Sequence, residues 1–386
     1  MNELGCFGIQ SATGFIRSPV VRVGAVAGME AALLLISTYA PFGNTWLHEE
    51  YHRAVLSSRG IGSYDGMYDF NLDIDNVSIY NVADEALINL KANHPEDLVR
   101  LEAAGYEGQV DLANSFLQDG LRHGTPLVEF PAFYALFANT FYLYLCTTNQ
   151  ADAATNEFNE KENTIDVRDF DGWDYTSWSY DLHRPDEPYT ARGVHSSGVG
   201  VNRYLLWTDL TADEQNYVRL QTKLSLLNFV RPQLFGMHPV HVGIGGISMT
   251  MTAGLQHYLT PFGYEAGIYV LSSAHSTGFT AAINAYVNRR QVLPGIDCGM
   301  FELPFVISRM SFSWSPRLAL WFQPKGLRFD AASASPGLLT SQRIGIALDR
   351  HLGAFAELEL KTSGWAAGTE ETGPAAAVRI GTTLKL

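Results

Sequence analysis

The hydrophobic pattern changes period near residue 240, and no other feature of this 386-residue chain constrains its fold as strongly. Up to that point apolar residues recur at helical spacing. Val82–Ala92, Pro95–Ala104 and Glu107–Leu121 read as helices. Thr211 to Phe229 opens with Thr211-Ala212-Asp213-Glu214, a capping box, and continues with Val218, Leu220, Leu224 and Leu227. Beyond 240 the period falls to two. Ile247, Met249, Met251, Ala253 and Leu255 alternate with Ser248, Thr250, Thr252, Gly254 and Gln256. Leu358 and Leu360 share one face, whereas Glu357, Glu359 and Lys361 share the other. Such alternation assigns residues to the two faces of a sheet.

About eight strands are expected, near 246–256, 264–272, 278–289, 304–314, 317–323, 342–350, 353–362 and 375–386. Their connections alternate between long and tight, with Ser315-Pro316 and His351-Leu352 as tight turns. A soluble sandwich would bury the apolar faces. A membrane barrel turns them toward lipid and lines its lumen with small polar residues, and eight strands is its smallest common size. The Ser, Thr, Gly and Asn of the second face favour the barrel. So does a composition of only 17% charged residues with 35 glycines and 12% aromatics. The last strand resembles an outer-membrane assembly signal, although it ends in Leu386 rather than an aromatic residue. The expected fold is α+β. A mainly helical domain, 1–240, contains a polar loop region from Ala151 to Arg203, and an antiparallel β-barrel fills 241–386. A formal charge of −14 argues against a nucleic-acid binder, which needs a basic face.

Two apolar stretches precede the switch. Val23–Ala40 follows Arg17 and Arg22 and ends in a small-x-small pattern, but Glu30 interrupts it and Pro41 follows, so it makes a poor signal peptide. Leu127–Cys146 is long enough to span a bilayer, yet it carries Glu129, Pro131 and Asn139. Both read as core helices or as helices near a membrane surface. Cys6, Cys146 and Cys298 are too dispersed to form a disulfide framework or a cysteine-based metal site.

The chemical signal is His48-Glu49-Glu50-Tyr51-His52, an H-E-x-x-H. On a helix His48 and His52 lie one turn apart and can share a metal ion, and Glu49 can take a proton from a metal-activated water. Zinc needs a third protein ligand and an open position. Val55 and Ser58 stand where a metzincin continues with glycine and histidine, which excludes that class. Downstream, Glu107-Gly108-Gln109-Val110-Asp111 would set Glu107 and Asp111 on one helix face. Glu107 is the expected third ligand and Asp111 the acceptor that orients a ligand histidine. Glu85, Glu96, Glu102 and Glu129 are competing candidates.

H-E-x-x-H followed by an E-x-x-x-D on a second helix resembles the gluzincin metallopeptidases, particularly the HtpX/BepA-like peptidases of bacterial envelopes. The resemblance covers about residues 40–125 and implies zinc, an acidic third ligand and hydrolysis of a protein or peptide substrate. Glu50 and the exact spacing of the acidic motif depart from the family, and a C-terminal barrel is not part of its usual architecture. A gluzincin site also needs a donor to the oxyanion, for which His195 is the first candidate and His183 and Tyr189 the others. His238 and His241 flank Pro239 at the domain junction and make a weak second metal pair. Gly193–Gly200 lacks the lysine of a phosphate loop and reads as a flexible loop or lid. The expectation is therefore a zinc metallopeptidase in contact with outer-membrane lipid, its metal site facing the periplasm at the same barrel end as the C-terminus. The rivals are a catalytically silent barrel acting as a scaffold, and a soluble envelope peptidase with a β-sandwich.

Overall fold

The computed structural model describes residues 8–384, apart from 10, 40, 42, 70–76, 125–126, 245–246, 276 and 350–351. The helices are α1 (Pro19–Tyr39), α2 (Asn44–Ser58), α3 (Asp84–Asn93), α4 (Pro95–His123), α5 (Glu129–Leu145), α6 (Asn149–Lys161), α7 (Asp174–His183) and α8 (Ala212–Leu224). A short ribbon pairs β1 (Tyr64–Asp65) with β2 (Ile79–Tyr80). The large sheet comprises β3 (Val240–Ile244), β4 (Ile247–Thr260), β5 (Gly263–Ala274), β6 (Thr277–Val287), β7 (Val292–Phe301), β8 (Leu303–Ile307), β9 (Met310–Pro324), β10 (Ala334–Ala347), β11 (Leu352–Lys361) and β12 (Ala375–Leu384).

The switch from helices to an antiparallel sheet falls where the period changes. The sheet has ten strands in the order β12-β11-β10-β9-β7-β6-β5-β4-β3, with β8 also paired to β9. Among the described residues β3 and β12 are its two edges, and no pairing joins them. Two expected boundaries are corrected. Ser315-Pro316 is not a turn, because β9 runs through it and pairs with β10 along its length. β9 pairs with β7 through Arg317 and with β8 through Trp314, so the N–H that Pro316 lacks falls beside the break between those two strands. The expected strand 304–314 instead straddles the β8–β9 hairpin, where Ser308 has a φ of 59°. The turn near 351 is present between β10 and β11, although 350–351 themselves lie outside the described residues.

Two helical expectations also change. The expected helices at 95–104 and 107–121 are one continuous element, α4. Gly105, in the gap between the two expected helices, lies where α2 approaches closely. The polar region 151–203 is not a loop with short strands, since α6 and α7 lie within it. Capping went as expected at α8, where the Thr211 hydroxyl accepts from the Glu214 N–H and Glu214 accepts from the Thr211 N–H.

α4 connects the two halves. Its 29 residues span about 43 Å. Its N-terminal half packs on α2, and its C-terminal half lines a cavity of about 750 Å³ together with residues from β4 to β12. At one end of the sheet Arg122 pairs with Glu302 at 2.8 Å. At the other, Glu107 meets Trp365 in the β11–β12 connection. The helical domain sits at this second end: the Trp178 ring N–H donates to the Thr260 carbonyl, and Arg328 pairs with Asp186. The C-terminal end of β12 aligns with Leu352, at the opposite end. The expected shared end for the metal site and the C-terminus is thus not found.

The sheet is apolar outside, and its buried face mixes polar and charged side chains with aromatic and aliphatic ones. On β9, Leu318, Leu320 and Phe322 are exposed, whereas Ala319, Trp321 and Gln323 are buried. On β11, Leu358 and Leu360 are exposed, whereas Glu359 and Lys361 are buried. The helical part has a core of Leu56, Leu87, Leu98 and Leu101 near α2, and a second core that Tyr106, Tyr175 and Trp178 share with sheet residues such as Tyr258, Leu271 and Trp321.

Candidate metal centre

α2 places His48 and His52 on its buried side, one turn apart, with ring centroids 4.9 Å apart. The third group is Asp174. Its Oδ2 lies 2.9 Å from His48 Nε2 and 3.3 Å from His52 Nε2. These three side chains can present ligand atoms all within 4.8 Å of one another. Asp174 is the first residue of α7, and an acidic side chain there is favoured by the helix dipole. Gly172, with a φ of 77°, makes the turn into that helix.

The hydrogen bonds fix one tautomer. His52 Nδ1 lies 2.6 Å from the Leu101 carbonyl oxygen, which can only accept, so Nδ1 carries the hydrogen. In the neutral ring Nε2 is then a bare lone pair. It faces the Asp174 carboxylate without hydrogen-bond geometry and has no partner, although the residue is fully buried. A lone pair against a carboxylate in a dry interior is unfavourable unless a cation, a proton or a metal ion, lies between them. Zinc with bonds of about 2.0–2.1 Å separates tetrahedral ligand atoms by about 3.3 Å, close to the spacing observed here. The donor set of two imidazoles and one carboxylate suits zinc. Burial alone would raise the Asp174 carboxyl, but interaction with His52 and a hydrogen bond to His48 outweigh it and hold the group well below the usual carboxylate range, as positive charge between it and the rings would.

Close approach of α4 shapes the pocket. A Cβ at Gly105 would stand 2.3 Å from His48 Nε2, and one at Gly108 would stand 2.8 Å from the Tyr51 ring. From α5, the Tyr142 hydroxyl donates to Asp174 Oδ1 at 3.3 Å, and its ring packs edge-on against His48. Glu49 is buried beside the centre. Burial, then the charges of Asp169, Asp174, Asp65 and Glu50, push its carboxyl well above the usual range. Behind the cluster, Lys91, Glu102, Asp181 and Arg192 form a buried ionic network that anchors α7 to α3 and α4.

The H-E-x-x-H residues therefore come together as expected, and the third-ligand expectation is corrected. Glu107 accepts from Arg100 at 3.1 Å, from the Trp365 ring N–H at 2.9 Å and from the Gly368 N–H at 2.8 Å. The reason is helical phase: Gly105 faces His48, and a residue two positions on points to nearly the opposite side of the helix. Asp111 accepts from Tyr51 at 3.2 Å and Tyr258 at 2.8 Å, and does not bond a histidine. His195 is also elsewhere. Its ring bonds Ser197, which in turn accepts from Arg168, inside a loop closed by the Val194–Val201 bridge. The end of that loop is closely packed, since a Cβ at Gly200 would meet Asp84 Oδ2 at 2.3 Å, whereas Val194 and Val199 are exposed. His183 bonds the Ser179 carbonyl, and Tyr189 lies beneath Arg192. Of the competing acids, Glu102 pairs with Arg192, Glu96 lies beside His94, and Glu85 is exposed. The missed residues are Asp174 and Tyr142. The readable signal for Asp174 was a run of acids, Asp169, Asp171 and Asp174, set among Phe170, Trp173 and Tyr175.

No family model matches the chain, and neither the curated proteins nor the solved structures contain a significant match. Among the described residues no helix is long and apolar enough to cross a membrane.

Proposed function

We propose that this chain is a zinc-dependent peptide hydrolase seated in a bacterial outer membrane by its sheet. The observation that carries the reading is the convergence of His48, His52 and Asp174, with His52 Nδ1 committed to Leu101 and its Nε2 left for a cation. His48, His52 and Asp174 would hold the ion. Zinc, when bound, supplies Lewis acidity toward a carbonyl and lowers the pKa of a water. Glu49, next to His48 on the same helix, takes the proton of the attacking water and passes it to the leaving amine. Its raised pKa keeps the carboxylate basic enough to accept a proton and acidic enough to return it. Tyr142 holds the second oxygen of Asp174 and keeps that carboxylate facing the imidazoles.

The inverted sheet supports the membrane part of the proposal. A charged, hydrogen-bonded interior with an apolar exterior is the arrangement a bilayer selects. Outer-membrane barrels keep short turns on the periplasmic side. Here the turns at 261–262 and 288–291 share an end with the long connections 325–333 and 362–374, beside the metal centre. The opposite end has only the turns near 275, 308 and 350, together with the C-terminal end of β12. The loop rule thus turns the metal centre toward the cell exterior, since the periplasm-facing expectation rested on a shared end.

The test compares wild type with Glu49→Gln on an unstructured protein substrate, with zinc content measured in parallel. Loss of a general base lowers kcat by roughly 10²–10⁴. The expected result is that loss with zinc retained. Equal hydrolysis by both proteins would overturn the proposal.

A further inference from the structure

Helix α5 places five aromatic residues, Phe130, Phe133, Phe137, Phe141 and Tyr144, on one exposed stripe. They recur at three and four residues and fall within about 80° of arc on a 3.6-residue helix. Neighbouring rings stack: Phe137 lies 5.8 Å from Phe141 and 6.3 Å from Phe133, nearly parallel to both. The opposite side of the helix is buried through Ala132, Ala135, Leu136 and Asn139. A stripe of this size in water is unfavourable, so its position relative to the sheet decides what covers it.

That position is fixed by α4. The Asn139 side chain donates to the Tyr106 carbonyl, so α5 runs back alongside the helix that lines the sheet's cavity. Phe133 packs edge-on against Phe229 in the segment 225–235. This segment covers the edge of β4 beyond its short pairing with β3. The Leu255 N–H donates to the Val230 carbonyl at 3.0 Å, and Asn228 both donates to the His257 carbonyl and accepts its N–H. A strand edge in contact with lipid must have its polar groups satisfied, and here the segment satisfies the Leu255 N–H and both backbone groups of His257. Exposed Leu226, Val230 and Phe235 join the β4 edge to the stripe. From Phe130 to Tyr144 the stripe rises about 21 Å, comparable to the apolar band of outer-membrane barrels, about 25 Å tall.

We propose that α5 is part of the lipid-facing wall, standing beside β4 where the sheet has no further strand, and that its aromatic stripe contacts acyl chains. The occupant is lipid rather than one partner protein because the apolar exterior continues around the sheet from Val240 on β3 to Ile380 on β12. A further consequence concerns substrate. The same helix reaches the metal centre through Tyr142, one residue after Phe141. The centre then lies at the bilayer surface, and its substrate class is a membrane-associated polypeptide. This inference rests on the membrane reading above.

The test uses nitroxide labels on the full chain in phosphatidylethanolamine–phosphatidylglycerol vesicles. Cys298 is exposed on the outer face of β7 and reports the sheet in a Cys6→Ser background, Cys146 being buried. Phe137→Cys and Phe141→Cys, each with Cys6→Ser and Cys298→Ser, report the stripe. The expected result is high collision with oxygen and low collision with an aqueous nickel chelate at all three sites. A lipid signal at Cys298 with aqueous or occluded signals at both α5 sites would overturn the α5 proposal and leave the membrane reading standing. Aqueous signals at all three sites would overturn both.

Discussion

The helical and sheet halves of this chain differ most in what they expose, since the sheet turns apolar side chains outward from Val240 to Ile380. Around α2, α3 and α4 the interior combines leucine, valine and aromatic side chains with buried ion pairs such as Lys91–Asp181, Arg100–Glu107 and Arg203–Asp84. Inside the sheet the buried positions include Gln256, Asn284, Glu359 and Lys361, while Ile283, Val378 and Ile380 point outward. On the proposed reading the helical half is organised against water and the sheet against an apolar medium. α4 belongs to both halves, since it supports the histidines at one end and lines the cavity at the other. The comparison teaches that apolar exposure in the sheet is systematic rather than scattered, so it marks a surface that is covered by something other than water.

This contrast can be broken or sharpened by substitution. The largest effect is expected at Leu56, which is fully buried on α2, the helix that carries His48 and His52. Leu56→Ala should destabilise the helical half by about 2–5 kcal/mol in denaturant unfolding. Ile283→Lys, on the outer face of β6, should cost about 2–4 kcal/mol when folding is measured into a bilayer. In a water-facing sheet the same change would cost almost nothing, so a null result there removes the contrast. Gly105→Ala comes next. The added methyl displaces His48, and zinc affinity should fall roughly 10–100-fold, the range for disturbing the support of a ligand.

The smallest effect is on acid stability. Burial alone would raise the Asp181 carboxyl, but Arg192 and Lys91 hold it down to about 2. A carboxyl depressed in the folded state contributes stability above its unfolded pKa of about 3.9, and this is lost as pH falls toward the folded value. Asp181→Asn should therefore flatten the decline in stability between about pH 4 and pH 2, followed by denaturant titration at each pH.

Much of this architecture was legible in the residues, for identifiable reasons. Strict alternation from Ile247 to Leu255 and from Leu352 to Leu360 fixes faces, because a one-residue slip would invert every side chain. The strand limits were less legible. Pro316 reads as a turn residue, and only the break between β7 and β8 lets it sit inside β9. At the site, His48, Glu49 and His52 were readable because their spacing is local to one helix. Asp174 was not, because it lies 126 positions from His48 and reaches it only through the packing of α7. Glu107 was misleading for a related reason. Its buried carboxylate has a structural task, tying α4 to the loop that carries Trp365, and sequence alone does not separate that task from metal ligation.

The most direct test is the zinc content of the purified chain after dialysis, measured beside Asp174→Ala and Glu107→Gln. About one zinc per chain is expected in the wild type, from a three-ligand site of this kind. It should be retained by Glu107→Gln and lost, or weakened at least a hundredfold, in Asp174→Ala. Zinc held by Asp174→Ala and lost from Glu107→Gln, or none bound by the wild type, would contradict the account.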